Sequence, residues 1–283
     1  MIIQRFAAFC DGNSGGNPAG VVIGDQLPPP SEMQEVAAQI GYSETVFAAP
    51  NIDGWRVRYF APEMEVPFCG HATIALGAAL ARRLGSGTFK LTLNQMNISV
   101  KGINDSSRLS AMFESPHTRT ETFSPELVDF ALDLFCMSHD HLDSRIPPRI
   151  AIAGARHLVL MLKARLSLTS MKYDFSAGRD FMKANALTTI LLGFAEAPKL
   201  FHCRNAFASG GIYEDPATGA ATAALAGYLR ELRWPHGGAI DLVQGEDMGC
   251  LSRIHAEIPK MLGGPVRVSG EVRPIAAGQL FNY

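Results

Sequence analysis

The sequence predicts an α+β fold of two domains, and three observations predict it. The chain has 283 residues, beyond the usual size of one domain, so two domains of roughly 100–150 residues each are expected. Strand candidates with alternating patterns and helix candidates with helical spacing both occur in each half. The halves also echo each other. Gly70-His71-Ala72-Thr73-Ile74-Ala75-Leu76 aligns with Gly219-Ala220-Ala221-Thr222-Ala223-Ala224-Leu225 at an offset of 149 residues (219 − 70). Phe60-Ala61-Pro62 approaches the first segment as Phe207-Ala208-Ser209 approaches the second. A helix apolar all round belongs inside a layer of strands, where small residues allow close backbone approach. We read a duplication; alanine-rich helices also align by chance, and two unrelated buried helices are the alternative.

The elements follow in order. Ile2 to Phe9 is strand-like and ends in the turn Gly12-Asn13-Ser14-Gly15-Gly16-Asn17-Pro18, which separates two strands. After Pro28-Pro29-Pro30, Ser31 is positioned to cap a helix to about Ile40. Strands are expected at Thr45 to Ala49 and Trp55 to Ala61, and a helix from Gly70 to about Leu84, closed by Gly85. Phe89 to Leu93, Ile98 to Lys101 and Leu109 to Phe113 supply further strands. The second half repeats the plan: a helix from Ser124 to about Phe135, strands near Ile150 and Leu158, a helix around Phe181, strands to Phe207, and a buried helix from Gly219. The expected domains are 1–118, joined by a C-terminal strand at about 274–283, and 119–273.

Composition narrows the function classes. Hydrophobic residues at 47% and charged residues at 18% describe a folded globular chain. A net charge of −2 supplies no concentrated basic face for nucleic acid or a membrane surface, so a small-molecule ligand is expected. Five scattered cysteines without a CxxC pair read as reduced thiols, and Met1-Ile2-Ile3-Gln4-Arg5-Phe6 lacks the pattern of a signal peptide, so a cytoplasmic location is expected. The apolar run Ala72 to Ala81 is half of the ~20 residues that cross a bilayer.

Three segments place polar groups beside glycine at strand-to-helix transitions: Gly41-Tyr42-Ser43-Glu44-Thr45, Pro67-Phe68-Cys69-Gly70-His71-Ala72-Thr73 and Glu214-Asp215-Pro216-Ala217-Thr218-Gly219-Ala220. At the last two, glycine lets a ligand approach, and the helix start favours an anion by roughly 0.3–2 kcal/mol. Each is a seat for a carboxylate, and we expect an acidic substrate in a cleft between the halves with no cofactor. Glu44 opens the otherwise apolar strand Thr45-Val46-Phe47-Ala48-Ala49, an expensive place for a charge. Burial there raises its pKa toward neutrality and fits it to take and return a proton; the plain alternative is an exposed Glu at a strand end. His71 could assist Glu44 or be a satisfied core histidine, Asp215 could be a second acid or a turn residue, and Cys69 could be an activated thiol or packing. His139-Asp140-His141 with Asp143 has ligand residue types but reads as a solvated turn, and no metal site is expected. The glycines at 12–16 and 85–87 lack the lysine or helix context of phosphate loops.

Asn17-Pro18-Ala19-Gly20, Ser43-Glu44-Thr45, Cys69-Gly70-His71-Ala72-Thr73 and Glu214-Asp215-Pro216-Ala217-Thr218-Gly219 together resemble the phenazine-biosynthesis PhzF family. The resemblance spans most of the chain. It implies two pseudo-symmetric domains of the diaminopimelate-epimerase type, each a curved mixed sheet wrapped around a central helix, in a cofactor-free enzyme that is commonly a homodimer. It further implies that Glu44 is the acid/base that moves a proton between carbons of a conjugated carboxylic acid. His71 and Asp215 would assist, and Gly70, Cys69, Gly219, Ala220, Thr218 and Asn17 would lie beside the substrate. Phenazine-making members carry serine where this chain has Ala220, which puts the phenazine precursor in doubt as substrate.

Racemases of related fold use one cysteine from each domain. Here a cysteine, Cys69, is offered on one side only, and Asp215 stands at the matching place in the second half, so a proton shift by one glutamate is expected over racemisation. The alternatives are an epimerase using Cys69, a protein that binds a small acid without transforming it, and a hydrolase using Ser43 and His71, which lacks a GxSxG elbow.

Overall fold

The structure is a computed structural model describing residues 2–105 and 107–276. Along the chain run β1 (Ile3–Cys10), β2 (Asn17–Ile23), α1 (Pro30–Ile40), β3 (Glu44–Asn51), β4 (Gly54–Phe60), β5 (Glu65–Val66), α2 (Gly70–Leu84), β6 (Gly87–Thr92), β7 (Asn97–Asn104) and β8 (Leu109–Glu114). There follow β9 (Arg119–Glu121), α3 (Pro125–Leu134), β10 (Arg149–Ile152), β11 (Arg156–Leu162), α4 (Arg165–Thr169), α5 (Phe175–Ala184), β12 (Thr189–Ala197) and β13 (Leu200–Ala206). The last elements are α6 (Gly219–Glu231), β14 (Ala239–Gln244), β15 (Ser252–Glu257) and β16 (Arg267–Pro274). The described residues form two compact units, one of 2–105, 107–114, 250–253 and 268–276, the other of 115–249 and 254–267. The sequence expectation puts a strand returning to the first domain at 274–283. The returning strand is β16, and residues 277–283 lie outside those described.

In the first unit the strands run β1-β2-β3-β4-β6-β7-β8-β16, and β16 pairs back to β1. The ring is mixed: β2 with β3 and β4 with β6 are parallel, the other pairs for which a register is defined antiparallel. Closure leaves no free edge among these eight strands. Helix α2 packs against β1, β2, β3, β6, β7 and β8 and is buried from Gly70 through Ala81. This is why its sequence is apolar on every face, with charge only at Arg82 and Arg83 in the last turn, where cations suit the helix dipole. Two glycines set how closely the helix lies on the sheet. A Cβ at Gly102 would stand 2.1 Å from the carbonyl oxygen of Gly77 and 2.8 Å from Ala81 Cβ. Gly102→Ala is therefore expected to destabilise the protein by about 1–3 kcal/mol through overpacking. An unchanged midpoint of urea unfolding would refute the close approach.

Helix α1 lies on the other face, where Met33 and Ala37 join Val22, Phe47 and Phe60. It begins two residues earlier than a Ser31 cap implies: Pro30 is its first residue, Pro29 is the N-cap, and no side chain caps it, so Ser31 does not serve as cap. Proline needs no partner for the N–H it lacks, which makes it a sufficient start.

In the second unit the order is β15-β14-β13-β12-β11-β10-β9. Helix α6, buried from Ala221 to Arg230, packs against β9, β10 and β11. Helices α3 and α5 cover the opposite face, with Leu158, Leu160, Leu162, Ile190 and Leu192 beneath them. Ser124 and Asp174 cap α3 and α5 by accepting from Leu127 N and Ala177 N. The connectivity of the first unit recurs. A hairpin (β1-β2 or β10-β11) is followed by a strand parallel to its second member (β3 or β12), an antiparallel return (β4 or β13) and then the buried helix. Each third strand is entered through a left-handed residue, Gly41 in one unit and Ala186 in the other. Among the described residues no helix is long and apolar enough to cross a membrane.

Candidate active site

Helix α1 ends at Gly41, whose φ of 71° only glycine adopts without strain, and the chain turns directly into β3. The first residue of β3 is Glu44, paired with Ala19 of β2. That register drives the carboxyl inward, and it is 6% exposed. Beside it stand two residues from the start of α2. His71 Nε2 lies 3.6 Å from Glu44 Oε2 and 3.4 Å from Ser43 Oγ, and His71 Nδ1 lies 3.2 Å from Cys69 Sγ. His71 also hydrogen-bonds the carbonyl of Pro18, so the Asn17-Pro18 segment closes the cluster. Asn17 itself is fully buried at the start of β2. Cys69 is the N-cap of α2 but makes no side-chain capping bond, which leaves the first-turn N–H groups for an anion.

Enclosure decides the charges. Burial pushes the Glu44 carboxyl up to about 7, against hydrogen bonds from Ser43 and Cys69 that pull it down. Burial also lowers His71 to about 3. The histidine is therefore neutral near pH 7, and its 3.6 Å approach to Glu44 is a contact of a neutral imidazole rather than an ion pair. The protein thus holds a carboxyl that titrates near neutrality next to a ring that does not.

A stability consequence follows. The folded pKa of Glu44, about 7, lies above the 4.5 of an ordinary glutamate carboxyl. Its favourable contribution is complete below about 4.5 and is lost as pH rises through 7. The difference corresponds to on the order of 3 kcal/mol. Glu44→Gln, which cannot ionise, is expected to gain about that much relative to the parent chain between pH 4.5 and pH 8 in urea melts. A pH-independent difference would place the carboxyl in solvent.

The second unit gathers Asp215, Thr218, Gly219 and Ala220 at the start of α6. Asp215 is buried, its N–H donates to the carbonyl of Asn205 at 3.0 Å, and its Oδ2 accepts from Thr218 Oγ1 at 2.5 Å. Gln244, at the end of β14, braces this turn three times. It donates to Asp215 O at 2.7 Å and to Thr218 Oγ1 at 3.1 Å, and accepts from Thr218 N at 3.2 Å. Glu214, adjacent to Asp215 in the motif, is held instead by Arg204 (Nε to Oε1 2.9 Å, Nη2 to Oε2 2.5 Å). Reading the sequence alone misses Gln244 and Arg204. Gln244 sits 26 residues beyond Thr218 in an ordinary strand, without local signal, while the ten-residue spacing of Arg204 and Glu214 is a pattern only pairing explains.

Three atoms in the first unit could serve as metal ligands: one each from Glu44, Cys69 and His71, all within 4.8 Å of one another. The His139–His141 segment is a solvated turn, with His139 paired to Asp129 and His141 accepting from Ser138 N. Asp143 pairs with Arg145.

Comparison with known proteins places this geometry in context. Over residues 6–278 the chain matches the family described as phenazine biosynthesis-like protein, PhzC-PhzF. It is similar to the trans-2,3-dihydro-3-hydroxyanthranilate isomerase of Pseudomonas aeruginosa, 29% identical over 293 aligned positions that cover 97% of each chain. Among solved structures it is similar to a predicted epimerase from Pseudomonas aeruginosa, with a TM-score of 0.86, 22% identity and 99% of both chains covered. A probable proline racemase from Agrobacterium radiobacter matches with a TM-score of 0.68 and 9% identity over 99% of this chain and 92% of the other. These structural likenesses show the fold, the α+β architecture of the epimerase and proline racemase type.

Proposed function

Because the chain belongs to the phenazine biosynthesis-like PhzC-PhzF family, we propose that it is an isomerase that moves a proton between carbons of a small carboxylic acid, with Glu44 as the group that takes and returns that proton. The observation that carries this reading is the enclosed Glu44 carboxyl, raised to about 7 beside a neutral His71. A general base works best when its pKa lies near the working pH, because it must be ionised to accept the proton and acidic enough to release it. The step balances without a redox partner. The carboxylate removes a proton from one carbon, the electron pair moves through the conjugated acid, and the resulting carboxylic acid returns a proton to another carbon.

The substrate's carboxylate would meet the uncapped N–H groups at the start of α2, where the helix dipole favours an anion. Neutral His71 orients Glu44 without trapping it as an ion pair. Asp215 is proposed as an assisting acid on its burial and its motif. The isomerase of Pseudomonas aeruginosa named above suggests the substrate class, a cyclic conjugated amino acid, and Ala220 argues for a variant of it.

A second reading has its own observation. Cys69 Sγ, 3.2 Å from His71 Nδ1, resembles a thiol activated by an imidazole, which would make Cys69 the base of an epimerase.

The reaction class is tested by incubating the protein with cyclic conjugated carboxylic acids, trans-2,3-dihydro-3-hydroxyanthranilate among them, in deuterium oxide. The expected result is deuterium on a carbon of the product, read by mass spectrometry and proton NMR. Acids that shift the melting temperature yet never gain carbon-bound deuterium would make this a binding protein instead.

A further inference from the structure

We propose that the second unit holds an internal site for ordered water, anchored on the side-chain amide of Asn205 and reaching Thr222 of α6. Asn205 is fully buried, and among the described residues neither its Oδ1 nor its Nδ2 has a hydrogen-bond partner. A buried amide left wholly unpaired forfeits the hydrogen bonds it makes to water in the unfolded chain. For that reason the large majority of buried polar groups are paired with protein or with ordered water.

The first unit shows what stands at this position when protein fills it. There Tyr59 of β4 pairs with Val46, the third residue of β3, and its hydroxyl lies 2.7 Å from Thr73 Oγ1 on α2. Asn205 of β13 pairs with Leu191, the third residue of β12, and Thr222 stands at the place of Thr73, 149 residues on (222 − 73). The two threonines behave alike: Thr73 donates to Cys69 O at 2.6 Å and Thr222 to Thr218 O at 3.1 Å. Each hydroxyl therefore keeps lone pairs with which to accept. Asn205, however, has half the side-chain heavy atoms of Tyr59 and makes no bond to Thr222. A carboxamide in the place of a phenol leaves room for about one or two waters, at ~30 Å³ each in the liquid.

The chemistry selects the occupant. An anion answers only the N–H groups of an amide and a cation only its oxygen, whereas water both donates and accepts. Complete burial of Asn205 suits nothing larger. A second polar atom faces the same interior. Leu158 packs on the α3 and α5 side, so alternation along β11 turns His157 to the α6 side. Its Nδ1 is 2.7 Å from Thr189 Oγ1, and its Nε2 is buried with no partner among the described residues. Cavities that stay dry are lined by apolar groups, and these groups are polar. The inference is independent of the reaction proposed above.

A high-resolution crystal structure of the full chain tests it. Water density is expected about 2.7–3.2 Å from Asn205 Oδ1 or Nδ2, and it should vanish in Asn205→Leu, which has similar size and no polar atom. In solution, the side-chain amide protons of Asn205 should show cross-relaxation with water, of the sign that excludes chemical exchange. That measurement on the parent chain decides if the Leu variant fails to fold. Asn205→Tyr installs the first unit's residue. It should displace the water and unfold at a higher urea concentration than Asn205→Phe, which fills the space without the hydroxyl. An Asn205 amide bonded directly to a protein group, with neither water density nor cross-relaxation, overturns the site. So does an Asn205→Tyr variant that unfolds no later than Asn205→Phe, because nothing polar then stands opposite.

Discussion

Glu44→Gln is expected to lower the rate of carbon–proton exchange by about three orders of magnitude or more, while Cys69→Ser keeps at least a tenth of the parent rate. Gln is nearly isosteric and keeps an acceptor toward Ser43 and His71, so the loss isolates proton transfer; positioned acid/base groups contribute typically 10²–10⁴-fold. The pH profile supplies an independent sign. As the proposed base Glu44 would act in its ionised form, and burial raises its pKa to about 7, so exchange should fall roughly tenfold per pH unit below that value. His71 adds no limb there, because burial holds it to about 3. The opposite pattern, with Cys69→Ser inactive and Glu44→Gln fully active, would transfer the base to the thiol.

Glu214→Gln is expected to destabilise the protein by about 3–5 kcal/mol, the usual consequence of breaking a buried ion pair from one side. Arg204 and Glu214 are 8% and 4% exposed. The guanidinium also donates to the carbonyls of Leu168, Thr169 and Met171 from Nη1, so after the substitution it cannot leave for solvent without abandoning three more bonds. The remaining charge then lies opposite a neutral amide in a medium that solvates it poorly. The double variant Arg204→Met, Glu214→Leu should recover a large part of that loss, because it removes both charges together. Urea unfolding of the three variants measures it. A single-variant loss under about 1 kcal/mol would mean that water reaches the pair.

Together these experiments separate two kinds of acidic residue that look alike in a motif. Glu214 and Asp215 are neighbours in sequence, yet one is consumed by an arginine ten residues away and the other accepts from a threonine three residues on. Glu44, whose neighbour His71 is kept neutral by burial, is the one whose proton affinity burial raises. A buried acid joined to an arginine is structural first; one without a cation is available for chemistry.

Much of the fold was legible from local pattern. The starts of α2 and α6 at Gly70 and Gly219 follow from the switch to continuous small apolar residues. The helix expected from Ser124 to about Phe135 is α3, Pro125–Leu134, with Ser124 as its cap. The strands from Thr45 to Ala49 and Trp55 to Ala61 are found within a residue or two as β3 and β4. Helix α1 departed because proline, not a side-chain cap, starts it, and α4 escaped because five residues carry too few turns to show a period. The nearness of Ser43, Glu44 and His71 was legible only as separate motifs, since nothing along the chain states that β3 begins beside the first turn of α2.

By itself the sequence determined the kinds of element, their order, the repetition of one plan in two halves and the short list of residues able to carry charge or protons. Those are properties of neighbours along the chain: alternation, turn chemistry, the spacing of small residues. Only the tertiary structure decided which acids keep an ordinary charge, because the energy of an ionised group depends on the water and dipoles around it in space. Glu44 meets the side chains of Cys69 and His71 across more than twenty residues of sequence, and that enclosure, rather than any feature of the local motif, sets its proton affinity.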